Sequence, residues 1–118
     1  MDIYIVVAGF ILFDVITGLI KAGYKGEINS TNLRKGLFHK LSEIVTVAGC
    51  GLLDYYVKYL QTGFDIPILK PVATYICIME AVSIVENISQ VNEKLGNFLK
   101  PYLEKLKGEN NGNSEERD

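Results

Sequence analysis

The chain contains no tryptophan, one histidine (His39), two cysteines (Cys50 and Cys77) and three prolines. So few sulfur and imidazole groups leave little material for a metal site or a disulfide framework. No nucleophile–base pair and no glycine-rich phosphate loop is legible, since Gly23 and Gly26 follow no strand pattern. An enzyme is therefore not expected, and neither is a metal or cofactor. A surplus of positive charge is missing as well. Twelve Lys and Arg against fourteen Asp and Glu leave 118 residues at net −2, which argues against nucleic acid as a partner. One scarcity is local: the first twenty residues hold two acids and no base.

What is present is apolar and segmental. Hydrophobic residues make up 48% of the chain, gathered mainly into three stretches. The first, Ile3–Ile20, carries one charge, Asp14; as a helix its 18 residues would reach about 27 Å, close to a bilayer's hydrocarbon thickness. A signal peptide is the competing reading. It fails because Met1–Asp2 is acidic, an acid interrupts the apolar run and no A-x-A site follows. The second stretch, Ile44–Leu60, carries Asp54 and Lys58, with Tyr55, Tyr56 and Tyr59 crowded at its end as at a membrane–water interface. The third, Ile66–Val85, carries Lys70 and Glu80. A soluble three-helix bundle remains the alternative. Against it, the first stretch is apolar on every helical face. The charges between stretches also alternate. Lys21–Ser42 holds Lys21, Lys25, Arg34, Lys35 and Lys40 against Glu27 alone. Gln61–Asp65 has one acid and no base, and Lys94, Lys100, Lys105 and Lys107 follow the third stretch. The positive-inside rule then predicts three spans, with the N-terminus outside and the C-terminus in the cytosol.

Lys21–Asn29 reads as a turn. A helix is expected to start at Ser30 or Thr31, either of which can cap it. Leu33, Leu37, Leu41 and Ile44 recur at helical spacing among Arg34, Lys35, His39 and Lys40. The pattern fits a basic interfacial helix feeding the second span, or else a solvated loop. His39 reads as a lipid-headgroup contact rather than a ligand. Beyond Asn87, the stripe Leu95, Phe98, Leu99, Tyr102, Leu103 and Leu106 predicts an amphipathic helix broken near Pro101. Residues 108–118 have no apolar member and are expected to be a disordered polar tail after a membrane domain at 1–107. The expected fold is thus an all-α membrane protein. It has three transmembrane helices (3–20, 44–60, 66–85), a basic amphipathic interfacial helix and a cytosolic C-terminal amphipathic helix.

Small residues mark candidate packing faces: Gly18 and Ala22, Gly49, and Ala73, Cys77 and Ala81 at four-residue spacing. Such residues let membrane helices approach closely and associate, here as a homo-oligomer in lipid; the bland reading is that they are simply common in spans. Cys50 and Cys77 fit that packing role. The acids Asp14, Asp54 and Glu80 fall within roughly 10 Å of depth. Each charge near the bilayer centre costs about 3 kcal/mol, so these groups must be protonated, paired or hydrated. No base is expected at the depth of Asp14 and Glu80. Hydrogen bonds to a neighbouring Thr, Ser or Tyr are one outcome; an aqueous lining or proton-sensitive switch is the other.

Several of these residues stand in a recognisable order. Asp14-Val15-Ile16-Thr17-Gly18, Lys21-Ala22, Asn29-Ser30, Leu33-Arg34-Lys35-Gly36-Leu37 and Lys40 resemble a signature of the toxin-secretion/phage-lysis holins of clostridia and other Gram-positive hosts. Glu80-Ala81-Val82-Ser83-Ile84-Val85-Glu86-Asn87 resembles that family's S-I-x-E-N segment. One departure is the late position of Leu95-Gly96 and Pro101. The resemblance covers about Asp14 to Lys107. It implies a multi-span protein of the host bacterial cytoplasmic membrane that oligomerises into lesions and times lysis. The released cargo would be an endolysin, or in some relatives a toxin. A small ion channel or transporter subunit is the alternative function.

Overall fold

A computed structural model describes residues 2–60 and 67–115. Those residues form four α-helices: α1 (Ile3–Lys25), α2 (Ser30–Leu60), α3 (Leu69–Val91) and α4 (Glu93–Glu115). The link at 61–65, the first residue of the third apolar stretch and residues 116–118 lie outside the described residues.

The Asp2 carboxylate starts α1 by accepting from the Tyr4 amide at 2.9 Å. The helix stops at Gly26, whose φ of 70° lies in the left-handed region that a side chain disfavours. There the Gly26 N–H donates to Gly23 O and the Glu27 N–H to Ala22 O, so the last carbonyls are satisfied as the chain turns. Neither Ser30 nor Thr31 caps α2. Asn29 does, accepting from the Thr31 amide at 2.8 Å, because its side chain stands one residue ahead of the first helical position.

From Ser30 the helix runs 31 residues without interruption. The expected interfacial helix and second span are therefore one element, roughly 46 Å long at 1.5 Å per residue. No glycine or proline between Leu37 and Ile44 would break it. At its far end Asp54 accepts from the Ile68 and Leu69 amides, at 2.9 and 3.0 Å, capping α3 from a neighbouring helix. The end of α3 is Asn92, whose extended backbone is the whole joint to α4. Its side chain caps α4 by accepting from the Leu95 amide at 3.1 Å. Gly96 lets this corner close: a Cβ there would sit 2.7 Å from Ser89 Cα. Pro101 lies inside α4 and does not break it, since the proline removes one backbone bond and the flanking turns keep theirs. Helix also continues to Glu115, past Gly108 where composition predicts disorder.

Ile3, Val7 and Ile11 of α1 meet Leu69, Val72, Ala73 and Ile76 of α3 at one end, and Lys25 donates to Gln90 at the other. These two helices run parallel. Val47 of α2 joins the first cluster, while the earlier Lys40 sits toward the second end, so α2 runs opposite to both. The core is small: Val7, Ile11, Val47, Cys50, Ala73 and Ile76 are its buried apolar members. Large apolar side chains such as Ile5, Leu12, Phe13, Leu52 and Leu53 are instead more than half exposed. Meanwhile Asp14, Glu80 and Asn87 are buried. Apolar outside and polar inside suits lipid and not water, which removes the soluble-bundle alternative. Helices α1, α2 and α3 are each long and apolar enough to cross a membrane.

Candidate functional site

Asp14 on α1 and Glu80 on α3 face each other across the parallel pair, and Lys40 of α2 enters between them. Its ammonium Nζ donates to Asp14 Oδ2 and to Glu80 Oε2. The lysine side chain is 14% exposed and the Glu80 side chain 3%, so the pairing is shielded from solvent. Correcting the expectation that no base shares the depth of these acids, Lys40 is level with both. The reason is the continuity of α2, whose tenth residue after Ser30 meets the eleventh before the end of α1. A further acid, Glu43, places Oε1 3.9 Å from Lys40 Nζ, and this buried oxygen accepts no hydrogen bond from the described residues. Three carboxylates thus surround one ammonium.

Asn87 completes the cluster from α3. Its Nδ2 donates to Asp14 Oδ1 at 3.0 Å and to Thr17 Oγ1 at 3.1 Å. The Thr17 hydroxyl in turn donates to the Phe13 carbonyl at 2.9 Å. Buried amides and hydroxyls bonded in this way fix the orientation of the carboxylate they serve. Above the cluster opens a cleft of about 440 Å³ between α1, the first turns of α2 and the end of α3. Asp14, Gly18, Gly36, Lys40, Ser83, Glu86 and Asn87 all line it, with Leu19, Leu33 and Leu37 as apolar walls. These seven polar and small residues are dispersed over seventy positions of sequence and converge on one place. Ser30 and Lys35, from the same motif, are exposed and do not line it.

Asp54 is not part of this site; its role is the cap on α3. The small residues divide. Ala73 and Cys77 pack within the helical core, and Ala22 lines the cleft. A Cβ on Gly18 would lie 3.6 Å from Asn87 Nδ2. Ala81 is half-buried, and among the described residues nothing beyond the backbone of its own helix and its chain neighbours lies within 4 Å of where a Gly49 side chain would project. His39 is exposed, 4.0 Å from Glu43. Sequence reasoning missed Glu43 and gave Thr17 and Asn87 no structural role. Counting residues from the turn at Gly26 would have levelled Lys40 with Asp14, but not reached Glu43.

The sequence profile of the bacteriophage holin family matches residues 1–108, a range that holds all three spans and the whole Lys40 cluster. The chain belongs to this family. Two relatives from Listeria, the uncharacterised proteins Lmo0128 of Listeria monocytogenes and Lin0175 of Listeria innocua, are each 31% identical over 94 residues. That alignment takes in 80% of this chain and 64% of either relative, so the chain spans somewhat under two thirds of their length. No solved structure matches. Membership and the three apolar helices together make this holin-family chain a membrane protein.

Proposed function

We propose that the chain acts as a holin. It accumulates in the host cytoplasmic membrane with its N-terminus outside and C-terminus in the cytosol. There it associates with further copies and opens lesions that release an endolysin or a toxin at a set time. The observation that carries this reading is the buried Lys40–Asp14–Glu80 cluster inside an apolar-faced bundle. In lipid, helices are not driven together by the hydrophobic effect, so polar contacts and close packing hold them. Ions that satisfy one another inside a closed bundle are equally satisfied by water in an open one. Apolar faces outside have no such choice. The same chain therefore supports two states: a closed form with its charges paired, and an assembly whose charges line an aqueous opening. Only contacts that differ in free energy between these states set the balance.

The cluster also suits a small ion channel, which would conduct selectively and retain protein. Co-inducing the chain with a cytosolic endolysin in a bacterial host separates the two. Abrupt lysis that needs both proteins is the expected result. Ion leakage with the endolysin retained inside intact cells would replace the holin reading by the channel reading.

A further inference from the structure

The exposed face of α4 has no role in the cluster. At about 100° per residue, Leu95, Phe98, Tyr102 and Leu106 fall within a narrow arc of the helix. All four are exposed, Phe98 and Tyr102 by 63% and 64%. Gly96, on an adjacent arc, is buried against Ser89 of α3, so the stripe is not the surface that packs on the bundle. On the stripe's outer side stand Lys94 and Lys105, and Lys100 and Lys107 follow on the far side of the packed arc. The acids Glu93 and Glu104 point opposite the apolar stripe.

We infer that this stripe docks α4 lengthwise on the membrane surface, with Lys94 and Lys105 against anionic phospholipid headgroups. Two observations choose lipid as the occupant. Lys94 and Lys105 border one edge of the apolar arc while Glu93 and Glu104, the latter 4.0 Å from Lys107, are turned away, a charge order that suits a helix lying in an interface whose lysines reach up to headgroups. The tether also allows little else. Asn92 alone separates α4 from α3, a helix of membrane-crossing length, so Leu95 and Phe98 emerge within two turns of the span's end. The docking stands apart from the release of cargo and holds whether or not the chain opens lesions.

The absence of tryptophan supplies the probe. The full chain carrying Phe98→Trp, and separately Glu104→Trp, is reconstituted in phosphatidylcholine vesicles with and without phosphatidylglycerol. In anionic vesicles the tryptophan replacing Phe98 should emit to the blue, be quenched by bromine-labelled lipid and resist aqueous acrylamide several-fold better than the one replacing Glu104. Tyr102→Trp serves as a second probe of the same stripe. Lys94→Glu with Lys105→Glu should reduce lipid quenching, since each lysine near an anionic surface is worth about fivefold in partitioning. Equal acrylamide access at Phe98 and Glu104 would overturn the proposal. So would protection that vanishes as the protein is diluted in lipid, because a second copy would then be the occupant.

Discussion

Lys40 holds two carboxylates and has a third within 4 Å, so removing it leaves buried charge without a counter-ion. Breaking one partner out of a buried ion pair costs about 3–5 kcal/mol. Lys40→Met should lower the unfolding midpoint in detergent accordingly and bring lysis forward. Glu80→Gln in that background removes one stranded carboxylate and should restore part of the loss. A coupling of about 0.5–3 kcal/mol between the two substitutions is expected from a double-mutant cycle, and strict additivity would show that the pair is not energetically linked. Close approaches make a second residue-scale prediction. A Cβ on Gly51 would overlap the hydroxyl end of Tyr4, the far end of a side chain that can turn aside. At Gly96 the obstacle is the Ser89 backbone. Gly96→Ala should therefore cost about 1–3 kcal/mol, and Gly51→Ala clearly less, in the same unfolding measurement.

Among the helix caps, the least local is the one that Asp54 gives to the first amides of α3. Losing a cap costs about 1 kcal/mol, so Asp54→Ala should speed hydrogen exchange at the Ile68 and Leu69 amides while leaving α1 unchanged. Unaltered exchange there would mean that α3 starts without help from α2. The three apolar runs were legible in the sequence because length and hydropathy are properties of one segment. The extent of α2 was not. Residues 30–43 carry enough charge to read as lying on a surface, and helical spacing is the same whether a helix lies flat or continues into a span. That single ambiguity moved Lys40 out of register with Asp14. Residue counting resolves it once α2 is known to be continuous. Glu43 and Asn87 were hidden for a different reason: their partners depend on the rotation of each helix about its axis. The motif order marked Asn87 without showing what it binds.

As a whole, the chain crosses in the sense out–in, in–out, out–in if the positive-inside alternation of its loops governs insertion. With Cys50 and Cys77 replaced by serine, Asn111→Cys should resist a membrane-impermeant thiol reagent in intact cells, and Gln61→Cys should react. Labelling at both sites, or at neither, would rule out three spans in that orientation. The manner in which the three crossing helices are joined bears on the abruptness expected of lysis. Asp14 and Glu80 are both donated to by Lys40, one from each of the other two helices. Drawn as a graph, this is a star whose hub is a single nitrogen atom. A chain of separate pairs can lose its links one at a time and drift through partly opened forms. A star loses every spoke when its hub withdraws. Displacement of one ammonium by a few ångströms breaks both charged ties of α2 at once, leaving it held only by the Asp54 cap and the packing around Val47, which gives the polar lock a threshold in place of a gradient.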